Sequence, residues 1–272
     1  MIAKAVLKVL RAFTVVGPVL LALALALALA LALVGCGSPA DPASEASGQE
    51  PAGQPVSGVV VVPGFGGSAA SVSKLVDTLR RAGHPVVTVA LPGDGTGDIA
   101  AMTPGVQQAV QQLTSTGAPV DVVGYSMGGL VARAWAKDAG GAGLARRILT
   151  VGTPNDGTET AELGQVVGSC PQACQQMVPG SAFLDALNSD DPTPDGPAWI
   201  TVRSSDDEVV RPTDTVSLEG ASNVLLQDVC SDASIDHAGL VSDPLPLAII
   251  VRGVGQQPWT APGTGDCVPL RG

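Results

Sequence analysis

The sequence predicts an α/β domain built on a mostly parallel sheet with helices on both faces. Three observations carry this. From Gly58 onward, short runs of strand length alternate with longer segments of helical period. The runs are apolar at successive positions, as in strands covered on both sides. One of them leads through Gly124-Tyr125-Ser126-Met127-Gly128 straight into a helical pattern, so that strand, sharp turn and helix follow in succession.

Each element has its own signal. Residues 59–62 read as a short buried strand. Residues 68–82 read as a helix with Val72, Leu75, Val76 and Leu79 on one face and Ser68 or Ser71 as its cap. A strand over 86–91 and a loop over 92–97 follow. Residues 103–116 form a helix, with Pro104 early and Gly117 just past the end. Residues 120–125 are the strand before the turn, and 130–139 the helix after it. A strand over 147–151 precedes a helical, loop-rich stretch at 159–190. Strands over 199–203 and 224–229 come last, with a final helix around 245–251. In parallel sheets of this kind ligands gather at the carboxyl ends of the strands, and Ser126 lies at one such end.

Composition bounds the function. The chain has 272 residues, 45% of them hydrophobic, and a net charge of −11. That is enough for a sizeable core, and with no basic patch nucleic acid is not an expected partner. The N-terminus reads separately. Lys4, Lys8 and Arg11 precede an apolar run over 12–34, which has the form of a secretion signal. The run is also long enough to be a membrane anchor. It ends in Leu33-Val34-Gly35-Cys36, which resembles a bacterial lipobox, in which cleavage precedes a cysteine that carries lipid. The expected organisation is a lipoprotein-type signal peptide over 1–35, a disordered tether over 36–57 rich in Ser, Pro, Ala and Gly, and one domain over 58–272. Removing the first 35 residues takes away three cations and no acids, which moves the net charge from −11 to −14. The expected location is outside the cytoplasm, anchored at the membrane through Cys36 or secreted.

Beyond Cys36 four cysteines remain, an even number for an oxidising compartment. Cys170–Cys174 is the local pairing, which leaves Cys230–Cys267; four cysteines allow three connectivities. A zinc site is disfavoured by the absence of paired C-x-x-C spacing and of nearby histidines.

The chemistry centres on Ser126. A serine hydroxyl needs a base, and the chain holds two histidines. His84 stands in a turn entering a strand, on the amino side of the sheet. His237 follows the last strand, on the carboxyl side with the serine. The imidazole needs a carboxylate to fix its tautomer. Asp206 and Asp207 follow the strand over 199–203, and Glu208, Asp214 and Asp236 are further alternatives that spacing leaves open. The order Ser126, acid, His237 is the order of a hydrolase triad on this kind of sheet. Two backbone N–H groups should face the developing oxyanion: that of Met127, after the serine, and that of Phe65 in the loop Pro63-Gly64-Phe65-Gly66-Gly67.

With these segments assembled, the chain resembles the small secreted bacterial lipases and esterases of the α/β-hydrolase superfamily. Val61-Val62-Pro63-Gly64-Phe65-Gly66-Gly67 is similar to their oxyanion loop, although many relatives carry His where Pro63 stands. Gly124-Tyr125-Ser126-Met127-Gly128-Gly129 matches their nucleophile elbow. Gly152-Thr153-Pro154-Asn155-Asp156-Gly157-Thr158 is similar to the segment after the next strand, where relatives often have His at the Asp156 position. Asp236-His237-Ala238-Gly239-Leu240 matches the histidine segment. Ser204-Ser205-Asp206-Asp207-Glu208 aligns its second Asp with the triad acid, so the resemblance, and not spacing, selects Asp207.

The resemblance implies an α/β-hydrolase fold and a serine hydrolase that cleaves acyl esters or lipids through an acyl-enzyme. The sequence holds no phosphate loop or metal-ligand cluster, so no cofactor or metal is expected, and a monomer is expected. An acyltransferase with the same triad, or a non-catalytic lipid-binding lipoprotein, are the alternatives. The stretch from Glu159 to Asp195 should supply the pocket walls, with Val166, Val167, Met177, Phe183, Leu184 and Leu187 as candidates. No long apolar insertion stands out as a lid. An exposed or thinly covered site is therefore expected.

Overall fold

Five consecutive residues of the first strand are buried because the strand has a helical layer on each side. The structure, a computed structural model, describes residues 56–272 apart from 116, 256 and 257. The expected signal peptide, Cys36 and all but the last two residues of the expected tether lie outside the described residues. Ser57, assigned to the tether by composition, is buried: its hydroxyl donates to the Val254 carbonyl at 3.2 Å.

The strands are β1 (Gly58–Val62), β2 (Val86–Thr88), β3 (Val120–Tyr125), β4 (Arg147–Val151), β5 (Ala198–Arg203) and β6 (Ser222–Leu225). They form one sheet in the order β2-β1-β3-β4-β5-β6, with every pairing parallel. The helices are α1 (Ser73–Arg81), α2 (Thr103–Thr114), α3 (Met127–Asp138), α4 (Glu159–Val166), α5 (Gln172–Gln176), α6 (Ala182–Asn188), α7 (Leu226–Val229), α8 (Pro244–Gly255) and α9 (Cys267–Arg271).

Alternation along each strand sorts the core into two layers. Val60, Val62, Val122 and Ile148 face α2 and α3, against Val106, Val110, Leu130 and Trp135. Val59, Val61, Val123, Leu149 and Ile200 face α1 and α8, against Leu75, Leu79, Ile249 and Ile250. Both layers are apolar, so the strands carry no polar face, and that produced the continuous valine runs in the sequence.

Several boundaries differ from expectation, each for a local reason. The expected strand over 86–91 ends at Thr88. Only Val86, Val87 and Thr88 pair with β1, and one further bond from Val89 N–H to the Val61 carbonyl closes the edge. The expected strand over 224–229 is β6 followed by α7, because the chain turns once its last paired residue, Leu225, has met Arg203. The first helical stretch opens as a 3-10 turn over Ala69–Val72 before α1. Neither proposed cap serves it: Ser68 makes no side-chain cap bond, and the Ser71 hydroxyl donates to the Ser68 carbonyl. α3 starts at Met127, three residues earlier than its apolar pattern.

Two disulfides are present, Cys170–Cys174 and Cys230–Cys267. The second joins the end of α7, rather than a strand, to the start of α9. Between Asp207 and His237 the chain forms only a 3-10 turn, β6 and α7, so no cap domain is inserted there.

The sheet order locates the site. From β1 the chain goes to β2 on one side and then returns to place β3 on the other. The crevice between the carboxyl ends of β1 and β3 is the switch point at which such sheets hold ligands. The loop after β1 contains Phe65, and the turn after β3 contains Ser126.

Candidate active site

Ser126 stands between β3 and α3 with φ 54° and ψ −128°, a left-handed backbone conformation that side chains other than glycine rarely adopt. Two bonds hold it there: its N–H donates to the Val151 carbonyl at 2.8 Å, and its own carbonyl accepts from Gly129 at 3.0 Å. The glycines around it are required by close approach. A Cβ on Gly124 would lie 2.5 Å from the Gly129 Cα, and one on Gly128 would lie 2.5 Å from the Pro63 carbonyl oxygen. The elbow and the loop after β1 are therefore in backbone contact.

His237 reaches this serine. Its Nε2 lies 3.0 Å from Ser126 Oγ, and its Nδ1 lies 2.7 Å from Asp207 Oδ2. A carboxylate can only accept, so Nδ1 carries the proton and Nε2 is left to accept from the serine hydroxyl. The other oxygen of Asp207 accepts from the N–H groups of Val209 and Val210 at 2.8 and 2.9 Å. Asp207 is thus buried, with both carboxyl oxygens engaged.

The alternative acids are engaged elsewhere. Asp206 is exposed beside Ser205. Glu208 accepts from the backbone N–H of His237 at 3.2 Å, Asp214 pairs with Arg203 at 2.7 Å, and Asp236 accepts from Gly239 N–H at 2.7 Å. His84 is buried at the amino end of the sheet, where its Nδ1 lies 2.9 Å from the Ser57 carbonyl oxygen.

Both residues expected to supply oxyanion donors border the serine: Met127 follows it in the chain, and Phe65 lines the same cavity as Ser126. Met127 is the first residue of α3, so no carbonyl one turn back within the helix takes its N–H. The loop bearing Phe65 lies close enough that a Cβ on Gly64 would be 3.0 Å from the Ser126 Cβ.

The sequence profile of the Alpha/beta hydrolase family matches residues 59–264, which spans every one of these side chains. The chain belongs to that family. No curated protein matches it detectably in sequence. Among solved structures, this hydrolase-family chain is similar to lipase B of Aspergillus fumigatus, with a TM-score of 0.66 at 20% identity over 79% of its length. It spans 55% of the Aspergillus protein. It is also similar to the mature form of the Bacillus licheniformis lipase BlEst2, with a TM-score of 0.62 at 15% identity, covering 76% of this chain and 95% of that one. At such identities the likeness is one of fold.

The hydrolase-family site includes residues that no motif signalled. The Tyr125 hydroxyl donates to the His237 carbonyl at 3.1 Å, and the two rings lie 5.1 Å apart. Burial, and then the carboxylates of Asp207, Asp236 and Glu208, push the Tyr125 phenol well above its ordinary value, so it remains a donor. Gln227 joins the acid and histidine loops: it accepts from Ser205 N–H at 3.0 Å and donates to Ser204 Oγ and to the Ala233 carbonyl. Thr158 caps α4 and donates to the Val209 carbonyl at 2.7 Å, tying that helix to the acid loop. Behind the site Arg133 is buried, which lowers its guanidinium to about 10, and donates to Asn155 and Asn188.

The serine is more covered than expected, at 9% exposure, and it opens onto a cavity of about 180 Å³. Of the six apolar residues proposed as pocket walls, Met177 lines this cavity. Val166 and Val167 point to solvent at 79% and 74% exposure, and Leu184, Leu187 and Phe183 pack into the core beside α2 and α3. Small residues, Ala161 and Gly164, form the wall instead.

Proposed function

We propose that this protein is a serine hydrolase of carboxylic esters that works through an acyl-enzyme. The relay from Asp207 through His237 to Ser126, at 2.7 and 3.0 Å, carries the reading. Ser126 Oγ attacks the ester carbonyl carbon while its proton passes to His237 Nε2. Asp207 stabilises the resulting imidazolium. The carbonyl oxygen takes the negative charge between the N–H groups of Met127 and Phe65. When the carbonyl re-forms, the ester bond breaks and the departing alcohol takes the proton from Nε2. Water then repeats the attack on the acyl-serine and releases the acid. Every proton is carried by the imidazole, so the sequence of steps needs no cofactor.

A fluorophosphonate probe tests this. It should label Ser126 in the native chain and fail to label Ser126→Ala, while the thermal transition of the variant stays intact. Absence of labelling in the native chain would overturn the proposal.

The N-terminal segment supports a further part of the proposal, that the mature domain is tethered outside the cytoplasm through lipid on Cys36. Two disulfides suit that oxidising setting. Cys36→Ser should release the protein from membranes into the soluble fraction; continued membrane retention would point to an uncleaved anchor.

A further inference from the structure

The cavity beside Ser126 has an unusual wall. Its lining includes Phe65, Ala161, Gly164, Cys174, Met177 and Val210. Its volume, about 180 Å³, is well below the roughly 300–1,000 Å³ of pockets that take drug-sized ligands.

Whether that volume is a real limit depends on what holds α4. Ala161 is the only residue of α4 that is buried, so core packing contributes little. The outward residues Leu163, Val166 and Val167 meet solvent. The inward face rests on sulfur. Both sulfurs of the Cys170–Cys174 bridge lie against the Ala161 carbonyl oxygen, at 3.6 and 3.7 Å, and a Cβ on Gly164 would be 3.3 Å from Cys174 Sγ. The bridge is itself anchored through α5. Ala173 N–H donates to the Thr96 carbonyl at 3.0 Å, and the Gln176 amide accepts from Ile99 N–H and donates to Asp98, both at 2.8 Å. The far end of α4 is thus connected to the domain through the disulfide and α5.

From this we infer that the enzyme is selective for esters of short acyl chains, and that the Cys170–Cys174 bridge sets the limit by fixing α4 as the pocket wall. This rests on the esterase reading above. An acyl chain longer than the cavity must push α4 outward or leave its end in water, and each poorly placed methylene then costs transition-state binding.

The test is a series of nitrophenyl esters from acetate to dodecanoate. In the native chain kcat/KM should peak at butyrate or hexanoate and fall about tenfold or more by dodecanoate. In the Cys170→Ser/Cys174→Ser double variant, checked for folding by its thermal transition, the dodecanoate-to-butyrate ratio should rise about tenfold. Met177→Ala, which enlarges the cavity with the bridge intact, should move the peak to longer chains. A native preference for octanoate or longer would overturn the inference, as would a double variant with an unchanged ratio while Met177→Ala moves the peak. Failure of the esterase reading would look different: no ester of any length, acetate included, would be turned over, and the fluorophosphonate would not label Ser126.

Discussion

The two ends of the sheet each hold a histidine, and the two are equally buried, at 7% exposure. Both use Nδ1 in a close polar contact. At the amino end the partner of His84 is the Ser57 carbonyl, within a structural knot where Arg146 pairs with Asp121 and also reaches Ser57 and the Val254 carbonyl. At the carboxyl end the partner of His237 is a carboxylate, and the second nitrogen faces a hydroxyl. Burial and hydrogen bonding are common to both, so neither identifies a catalytic base. What separates them is that His237 has a carboxyl on one ring nitrogen and a hydroxyl on the other. The amino end uses its polar groups to fasten α8 to the strands, and the carboxyl end uses them to align a carboxyl, an imidazole and an alcohol.

The comparison can be broken at either histidine. His237→Ala should lower kcat by on the order of 10⁶, whereas His84→Ala should leave kcat/KM unchanged and lower stability by about 1–2 kcal/mol, read from urea unfolding. If His84→Ala abolishes turnover in a folded protein, the division between the ends is wrong. Next in size is the carboxylate. Asp207→Asn should cost about 10⁴ in kcat through the wrong imidazole tautomer, while the exposed neighbour Asp206→Asn should stay within about twofold. The reverse order would move the triad acid by one residue.

A smaller effect sharpens the role of the supporting residues. Gln227→Ala loosens the acid loop from the histidine loop and should reduce kcat about tenfold with KM little changed. A change in KM alone would make Gln227 part of the binding surface instead. The smallest effect belongs to Tyr125→Phe, which removes one buried hydrogen bond to the His237 carbonyl. It should cost about 1 kcal/mol, measured as a shift in the denaturant midpoint.

How much of this was legible in the sequence follows from the same physics. β1, β3 and β4 are buried on both faces, so their apolar runs mark them almost to the residue. The elbow is legible because close backbone contact requires glycine at 124 and 128. β6 was misjudged because an apolar run cannot say where pairing stops, and the same run supplies both strand and α7. The pocket wall is hard to read from sequence because large apolar residues point to the core or to solvent, while α4 lines the cavity with the small Ala161 and Gly164 beside Met177 and Phe65. Gln227 and Tyr125 act through backbone groups of distant loops, and nothing in their local sequence marks that. The burial of Ser57 and His84 likewise depends on α8, nearly two hundred residues along the chain from Ser57, which no local pattern around them reveals.

The backbone contact between Gly128 and the end of β1 has one more consequence. It makes the shape of the crevice a property of the scaffold, independent of whether its reactive groups are kept. Replacing His237 would remove the imidazole facing Ser126 and still leave a formed hollow with the serine alcohol in its lining. Loss of the imidazole and loss of the hollow are therefore separable events in this architecture.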